Sequence, residues 1–308
     1  MRMDEKSMKK LAKEFLFISV FALLQFVLFL SQFNPLLLLL FVPLYTLFSK
    51  ENFIPRIIIS YIIASIGLML MSKVPIAFVY LLIIYIVPVT VYIVLKYVKS
   101  YILDILTLAV GFLIHLVFTI KAIKSLYRID VINEMILFLK KILEGYFKAL
   151  NEDVLLDKFA EFLKLMVPSF VIVVAITLGF IAYYILKWTA KRLKIERDFL
   201  SFENLFMPKE VTIGVIIFYI LSFFLTQVSL LYIVVSNMII ILLWLLFIQS
   251  LSLIYAIITE KISSPFFRGW MMIVIIIFSF QILPIMFLIG FLDLVFDFKK
   301  RGPKKVKL

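Results

Sequence analysis

The sequence predicts an all-α integral membrane protein, a polytopic helical bundle of about eight to ten membrane segments with an external amphipathic helical hairpin. Three observations predict it. Of 308 residues, 65% are apolar and 17% charged, with a mean hydropathy of +1.16, whereas soluble domains are about half apolar. The apolar residues gather in runs near the length needed to cross ~30 Å of hydrocarbon, about 20 helical residues. Basic residues fall mostly in short connections and at the two ends, the pattern that orients membrane helices.

The remaining totals exclude chemistry. The chain has no Cys, which removes disulfides, thiolate nucleophiles, iron–sulfur ligation and zinc–thiolate sites. A single His, His115, leaves no His-rich metal site and no second His for a relay. No phosphate-binding GxxxxGKS/T, HExxH, GxSxG or Gly-rich nucleotide turn occurs, and no aspartate pair marks an intramembrane protease. The expectation is no enzyme, no metal and no cofactor. The net charge of +13 reads as a topology signal, so the expected partner is the lipid bilayer and not nucleic acid.

In order along the chain, the apolar runs are 14–30, 35–48, 55–72, 75–95, 100–120, 165–186, 211–229, 231–258 and 270–296. The first follows the charged stretch Met1 to Lys13 and lacks a small-residue cleavage site, so it reads as a span. The second is short and follows the Asn34-Pro35 turn signal. The last is long, with Pro284 near its middle, where a helix would break or bend.

Lys and Arg number 5 in residues 2–13, 2 in 49–56, 2 in 96–99, 6 in 187–209, 2 in 259–269 and 6 beyond Asp297. The alternating loops hold fewer, apart from 8 in the long 121–164 segment. The positive-inside rule places both termini and the 187–209 loop in the cytoplasm, at a plasma membrane. Nine straight crossings would put the basic tail on the other side. A bend or re-entrant pair at Pro284 restores parity with the better charge asymmetry, and an even crossing number is favoured.

The resulting organisation is an N-terminal membrane bundle over 1–120, an extracytoplasmic helical insert over 121–164, a C-terminal membrane bundle over 165–298 and a basic cytoplasmic tail over 299–308. In the insert, Ile132, Met135, Ile136, Leu139, Ile142, Leu143, Tyr146, Phe147 and Leu150 recur at helical spacing. Asn151 interrupts this stripe, and Val154, Leu155, Phe159, Phe162 and Leu163 begin a second. Such a hairpin packs on its own bundle, lies in the interface, or serves as a lid or docking arm.

Polar side chains inside apolar runs are costly in lipid and are the candidate sites. Asp104 and His115 share one run, nearly on one face and roughly 16 Å apart along the axis. Asp104, in the first helical turn, also suits the helix dipole. Asn237 and Gln249 are 12 positions apart on another run, about 120° around the helix. With His115 and Asp104 they form the candidate solute site, the alternative being interhelical amide glue. Ser60, Ala64 and Gly67, and again Ala175, Gly179 and Ala182, form small-residue stripes where helix backbones approach closely. Asp293 and Asp297, spaced i and i+4 with Arg301 four further on, read as an acid–acid–base ladder or as a shielded carboxylate pair. Asp293, one turn deeper, is the expected buried member, with Arg192 or Arg197 as its partner.

The order of C-terminal motifs carries a resemblance. Phe202-Glu-Asn-Leu-Phe-Met-Pro208-Lys precedes a run; Asn237, Gln249-Ser-Leu-Ser252 and Gly290-Phe-Leu-Asp293-Leu-Val-Phe-Asp297-Phe-Lys follow, and Val167-Pro168-Ser169 opens the sixth run. The chain resembles the YybS-like family of bacterial multi-pass membrane proteins, a domain of unknown function, over nearly its whole length. It departs from the pattern at Ser250, where Gly is usual. The resemblance implies a distant similarity to the S components of energy-coupling-factor transporters, which bind vitamins and borrow an ATPase module. The paired alanines by which S components dock are absent, since only Ala22 lies within 14–30. Two functions remain open: a solute-binding transport subunit with an ATPase or transmembrane module as partner, or a non-transporting scaffold or regulator that holds partner proteins.

Overall fold

The computed structural model describes residues 14–23, 25, 34–49, 53–71, 82–149, 153–226 and 229–301. The Lys and Arg residues of 2–13, the loop around Lys73, parts of the first and fourth apolar runs, the expected break at Asn151 and most of the basic tail lie outside these. The described residues are mostly helical, and none of them forms a strand. The helices are α1 (Glu14–Leu23), α2 (Pro35–Leu40), α3 (Val42–Phe48), α4 (Phe53–Met71), α5 (Ile86–Lys96), α6 (Tyr101–Tyr127), α7 (Val131–Ala149) and α8 (Asp153–Arg192). After a 3-10 turn (Phe202–Asn204) come α9 (Glu210–Phe223), α10 (Leu230–Lys261), α11 (Pro265–Ser279), α12 (Leu283–Phe296) and α13 (Phe298–Arg301).

Among the described residues, α6 over Tyr101–Ser125, α8 over Leu156–Arg192 and α10 are long and apolar enough to cross a membrane. The segments Glu14–Leu23, Phe53–Gly67, Leu82–Lys96 and Glu210–Phe223 are apolar but shorter. The last apolar run is broken: α11 and α12 meet at a bend of 117°. Pro284 sits in the first turn of α12, where its missing N–H needs no partner and its fixed φ starts a helix.

One expectation is corrected. Residues 35–48 do not form a span: Pro43 sits in the first turn of α3, and the chain divides into helices of 6 and 7 residues, each only about 10 Å long. The expected boundary between 164 and 165 falls inside α8, a single helix of 40 residues, about 60 Å at 1.5 Å per residue. The second arm of the hairpin and the sixth run are therefore one rod. Pro168 sits inside it without ending it.

The chain divides into two compact units. The first holds residues 1–164 and 174–198; the second holds 165–173 and 199–308. In the first, α5 lies along α6, with α3 against α5. Phe21, Tyr45 and Tyr85 meet edge to face at 5.8 and 6.2 Å in its core, and Leu108, Phe112 and Tyr183 are also fully buried. Ala175 and Ala182 are buried, and a Cβ on Gly179 would come within 2.8 Å of the Ala109 backbone nitrogen. That stripe brings α8 onto α6 at backbone distance. The other stripe is partial: Ser60 and Ala64 are buried, but a Cβ on Gly67 meets nothing within 4 Å.

In the second unit α10 is the central helix, with α9 and α12 along it. Its core holds Phe247, Leu251, Ile258, Met272 and Met286. A Cβ on Gly290 would collide with the Leu246 carbonyl oxygen, so the α10–α12 crossing requires glycine there. Ser250 is buried with its hydroxyl donating to the Phe247 carbonyl. The close approach rests on Gly290 instead.

Candidate functional site

Gln249 and Ser252 are one turn apart on α10 and fully buried. Facing them, α12 ends at Phe296, and Asp297 takes a left-handed conformation at φ 53°, ψ 47°. Aspartate is among the few side chains that visit this region readily. Its N–H caps the Asp293 carbonyl at 2.9 Å, and the chain turns into α13. That turn brings Lys299 back against Asp293 and Ser252.

The result is a buried polar node in the second unit. Gln249 donates from Nε2 to Asp293 Oδ2 at 2.5 Å, and its Oε1 accepts from the Met207 N–H at 2.9 Å. Lys299 Nζ donates to the Leu205 carbonyl at 2.5 Å and to Ser252 Oγ at 2.6 Å, and lies 3.8 Å from Asp293 Oδ2. The Ser252 hydroxyl donates in turn to the Phe202 carbonyl at 2.6 Å. Asp293 has no exposed surface, and its Oδ1 has no hydrogen-bond partner among the described residues. Burial pushes Lys299 down to about 8 from the ordinary lysine value, against the opposing pull of Asp293. Outside the node, Lys209 pairs with Asp297 at 3.3 Å across partly exposed surface.

The node fastens one stretch of chain. Three backbone groups of 202–207 are held by three side chains from α10 and α13, and Leu205 and Met207 are buried there. Glu203 stays partly exposed while Asn204, Pro208 and Lys209 face outward.

The expected partners of Asp293 are corrected. Arg192 lies over the Trp188 ring. Arg197 pairs with Asp104 at 2.5 Å and donates to the Val94 carbonyl, within the first unit. The expected ladder of Asp293, Asp297 and Arg301 is also corrected, because the helix ends before Asp297 and the three do not share a face. Lys299 was missed. Its signal was that it is the first cation after Asp293, but only the left-handed turn folds it back.

The candidate solute residues divide between the units. Asp104 and His115 belong to the first, where His115 meets Thr119 at 3.4 Å. Asn237 and Gln249 belong to the second, about 18 Å apart along α10. Asn237 accepts from the Ser169 N–H at 2.8 Å and donates to the Leu165 carbonyl at 3.0 Å. A regular helix would bond those two groups to each other, so the amide stands between two turns of α8 beside Pro168. Proline interruptions in membrane helices are tolerated where neighbouring side chains satisfy the freed backbone groups.

Residues 16–294 match the family described as predicted membrane protein (DUF2232). The chain belongs to this family. The match agrees with the resemblance read from the C-terminal motifs. It includes Gln249 and Asp293 of the node and stops short of Lys299. No curated protein and no solved structure matches the chain.

Proposed function

We propose that this membrane protein is a non-transporting scaffold, which presents a preorganised loop to partner proteins. The observation that carries this reading is the node: Gln249, Ser252 and Lys299 hold the backbone of 202–207 in one conformation, with Asn204, Pro208 and Lys209 outward. A loop ordered before binding pays less entropy when a partner docks. The transport reading needs inward amides available to cargo. Asn237 and Gln249 instead have both ends of their carboxamides engaged within the chain. The Lys/Arg distribution supports a cytoplasmic position for this loop and for both termini, at the plasma membrane.

Native mass spectrometry of gently purified protein is the test. A retained protein partner, lost in Asn204→Ala/Lys209→Ala, supports the scaffold. A retained small molecule, lost in Asn237→Leu or Gln249→Leu while the fold persists, overturns it in favour of a solute-binding subunit.

A further inference from the structure

The insert helix α7 has an apolar side that the protein covers only in part. At 100° per residue, Phe138, Ile142, Met135, Leu139, Ile132, Leu143 and Ile136 span an arc of about 160° in that order. At one end of the arc Ile136 is buried, 4% exposed. At the other end Phe138, Ile142 and Met135 are 63%, 58% and 48% exposed. The opposite side carries Asn133, Lys140 and Glu144. There α7 and α8 part to leave a cleft of about 500 Å³, lined by Asn133, Lys140, Asp157, Glu161 and Lys164, with Lys140 paired to Asp157. Ile136 and Leu137 of α7 and Ala160 of α8 also line the cleft, and of the described apolar side chains of α7 Leu137 is the one set on the polar side of the helix.

What covers the bare end follows from what α7 is tied to. Only residues 128–130 separate it from α6, and only 150–152 separate it from α8; both neighbours are of membrane-crossing length. On α8, Phe159, Val174, Ile181 and Trp188 are all exposed and fall within about 60° of one another. The Val174–Trp188 part of this stripe is about 21 Å long and fits among acyl chains, and Phe159 continues the same face toward the part of α8 that forms the hairpin. A spanning helix about 60 Å long outruns ~30 Å of hydrocarbon, so the hairpin stands at the membrane boundary.

We propose that α7 lies along the bilayer interface, with Met135, Phe138 and Ile142 among the lipid acyl chains and the Asn133–Lys140–Glu144 side in water. Such a helix buries its apolar face about 5–10 Å below the headgroups. It anchors the insert to the same membrane that its neighbours cross, and leaves the charged cleft facing solvent.

The absence of native Cys makes the test direct. Full-length Phe138→Cys, Ile142→Cys and Asn133→Cys proteins are each labelled with an environment-sensitive fluorophore in phosphatidylcholine–phosphatidylglycerol liposomes. They are then quenched with brominated phospholipid or aqueous iodide; Met135→Cys replaces either lipid-side variant that does not reconstitute. The expected result is lipid quenching several-fold stronger at 138 and 142 than at 133, with the reverse order for iodide. Equal iodide quenching at all sites overturns the proposal, and so does equal lipid quenching at all sites, because the helix then has no wet side. A label at 138 silent to both quenchers, with Phe138→Cys forming disulfide-linked dimers, overturns it in favour of a second copy of the chain.

Discussion

Asp293 and Asp297 are four residues apart and chemically identical, yet burial separates them. Asp297 pairs with Lys209 where both side chains meet water, at 24% and 56% exposure, and exposed pairs contribute only ~0–1 kcal/mol. Asp293 is enclosed with Lys299, and removing one partner of a buried pair costs about 3–5 kcal/mol. Asp293→Asn is expected to lower the melting temperature in detergent by several degrees, and Asp297→Asn by little; equal shifts would contradict this. Lys299 adds a pH dependence. Its folded pKa of about 8 lies below the unfolded lysine value of about 10.5. Between them the unfolded chain binds more protons, so stability rises with pH across that window and is lowest below it. Lys299→Met, which removes the titration, is expected to reduce the gain in melting temperature between about pH 7.5 and 10. An unchanged gain would place the pH dependence elsewhere.

At the scale of elements, α8 persists through Pro168 because a neighbouring side chain intervenes. Asn237→Leu leaves the Leu165 carbonyl and Ser169 N–H without their amide, and interhelical hydrogen bonds in membranes are worth about 0.6–2 kcal/mol. Adding Pro168→Ala lets those groups bond to each other, so the double variant is expected to recover part of the lost melting temperature. Additive losses would show that the amide does not act through the proline break. The glycines divide in the same way. Gly290→Ala places a methyl group against the Leu246 carbonyl and is expected to force α12 away from α10, lowering expression and melting temperature. Gly67→Ala meets open space and is expected to be neutral or stabilising, since alanine exceeds glycine in helix propensity by ~1 kcal/mol.

For the whole molecule, apolarity does not tell inside from outside. Phe224 and Leu230 are about four-fifths exposed, while Phe21 and Phe112 are enclosed, because lipid solvates such side chains as well as a protein core does. Where hydrophobicity gives no preference for contact, small residues and hydrogen-bonded polar groups direct helix association. Gly179, Gly290, Asn237 and Gln249 mark contacts in these units for that reason. Orientation across the membrane is tested by single-Cys labelling of intact cells. Asn151→Cys is expected to react without permeabilisation. In the 202–207 stretch Leu205 is too buried to report, so Asn204→Cys tests the side proposed as cytoplasmic and is expected to react only after permeabilisation. The reverse pattern at the two positions would invert the topology.

Helicity and membrane embedding were legible in the amino-acid order alone, because hydropathy and helical period are local properties of the chain. So were the break near Pro284, the small-residue stripe at 175, 179 and 182, and the family, through Gln249, Asp293 and the motifs around them. Partnerships belonged to the tertiary structure. Asp293 meets Lys299 and not an arginine because Asp297 adopts a left-handed turn, a backbone state that no periodicity announces. Asp104 took Arg197, and Asn237 met two backbone groups of α8 that have no side-chain signature. An ion pair or an amide bridge depends on where two distant stretches of chain arrive in space, and a one-dimensional pattern of polarity carries the need for a partner without its address.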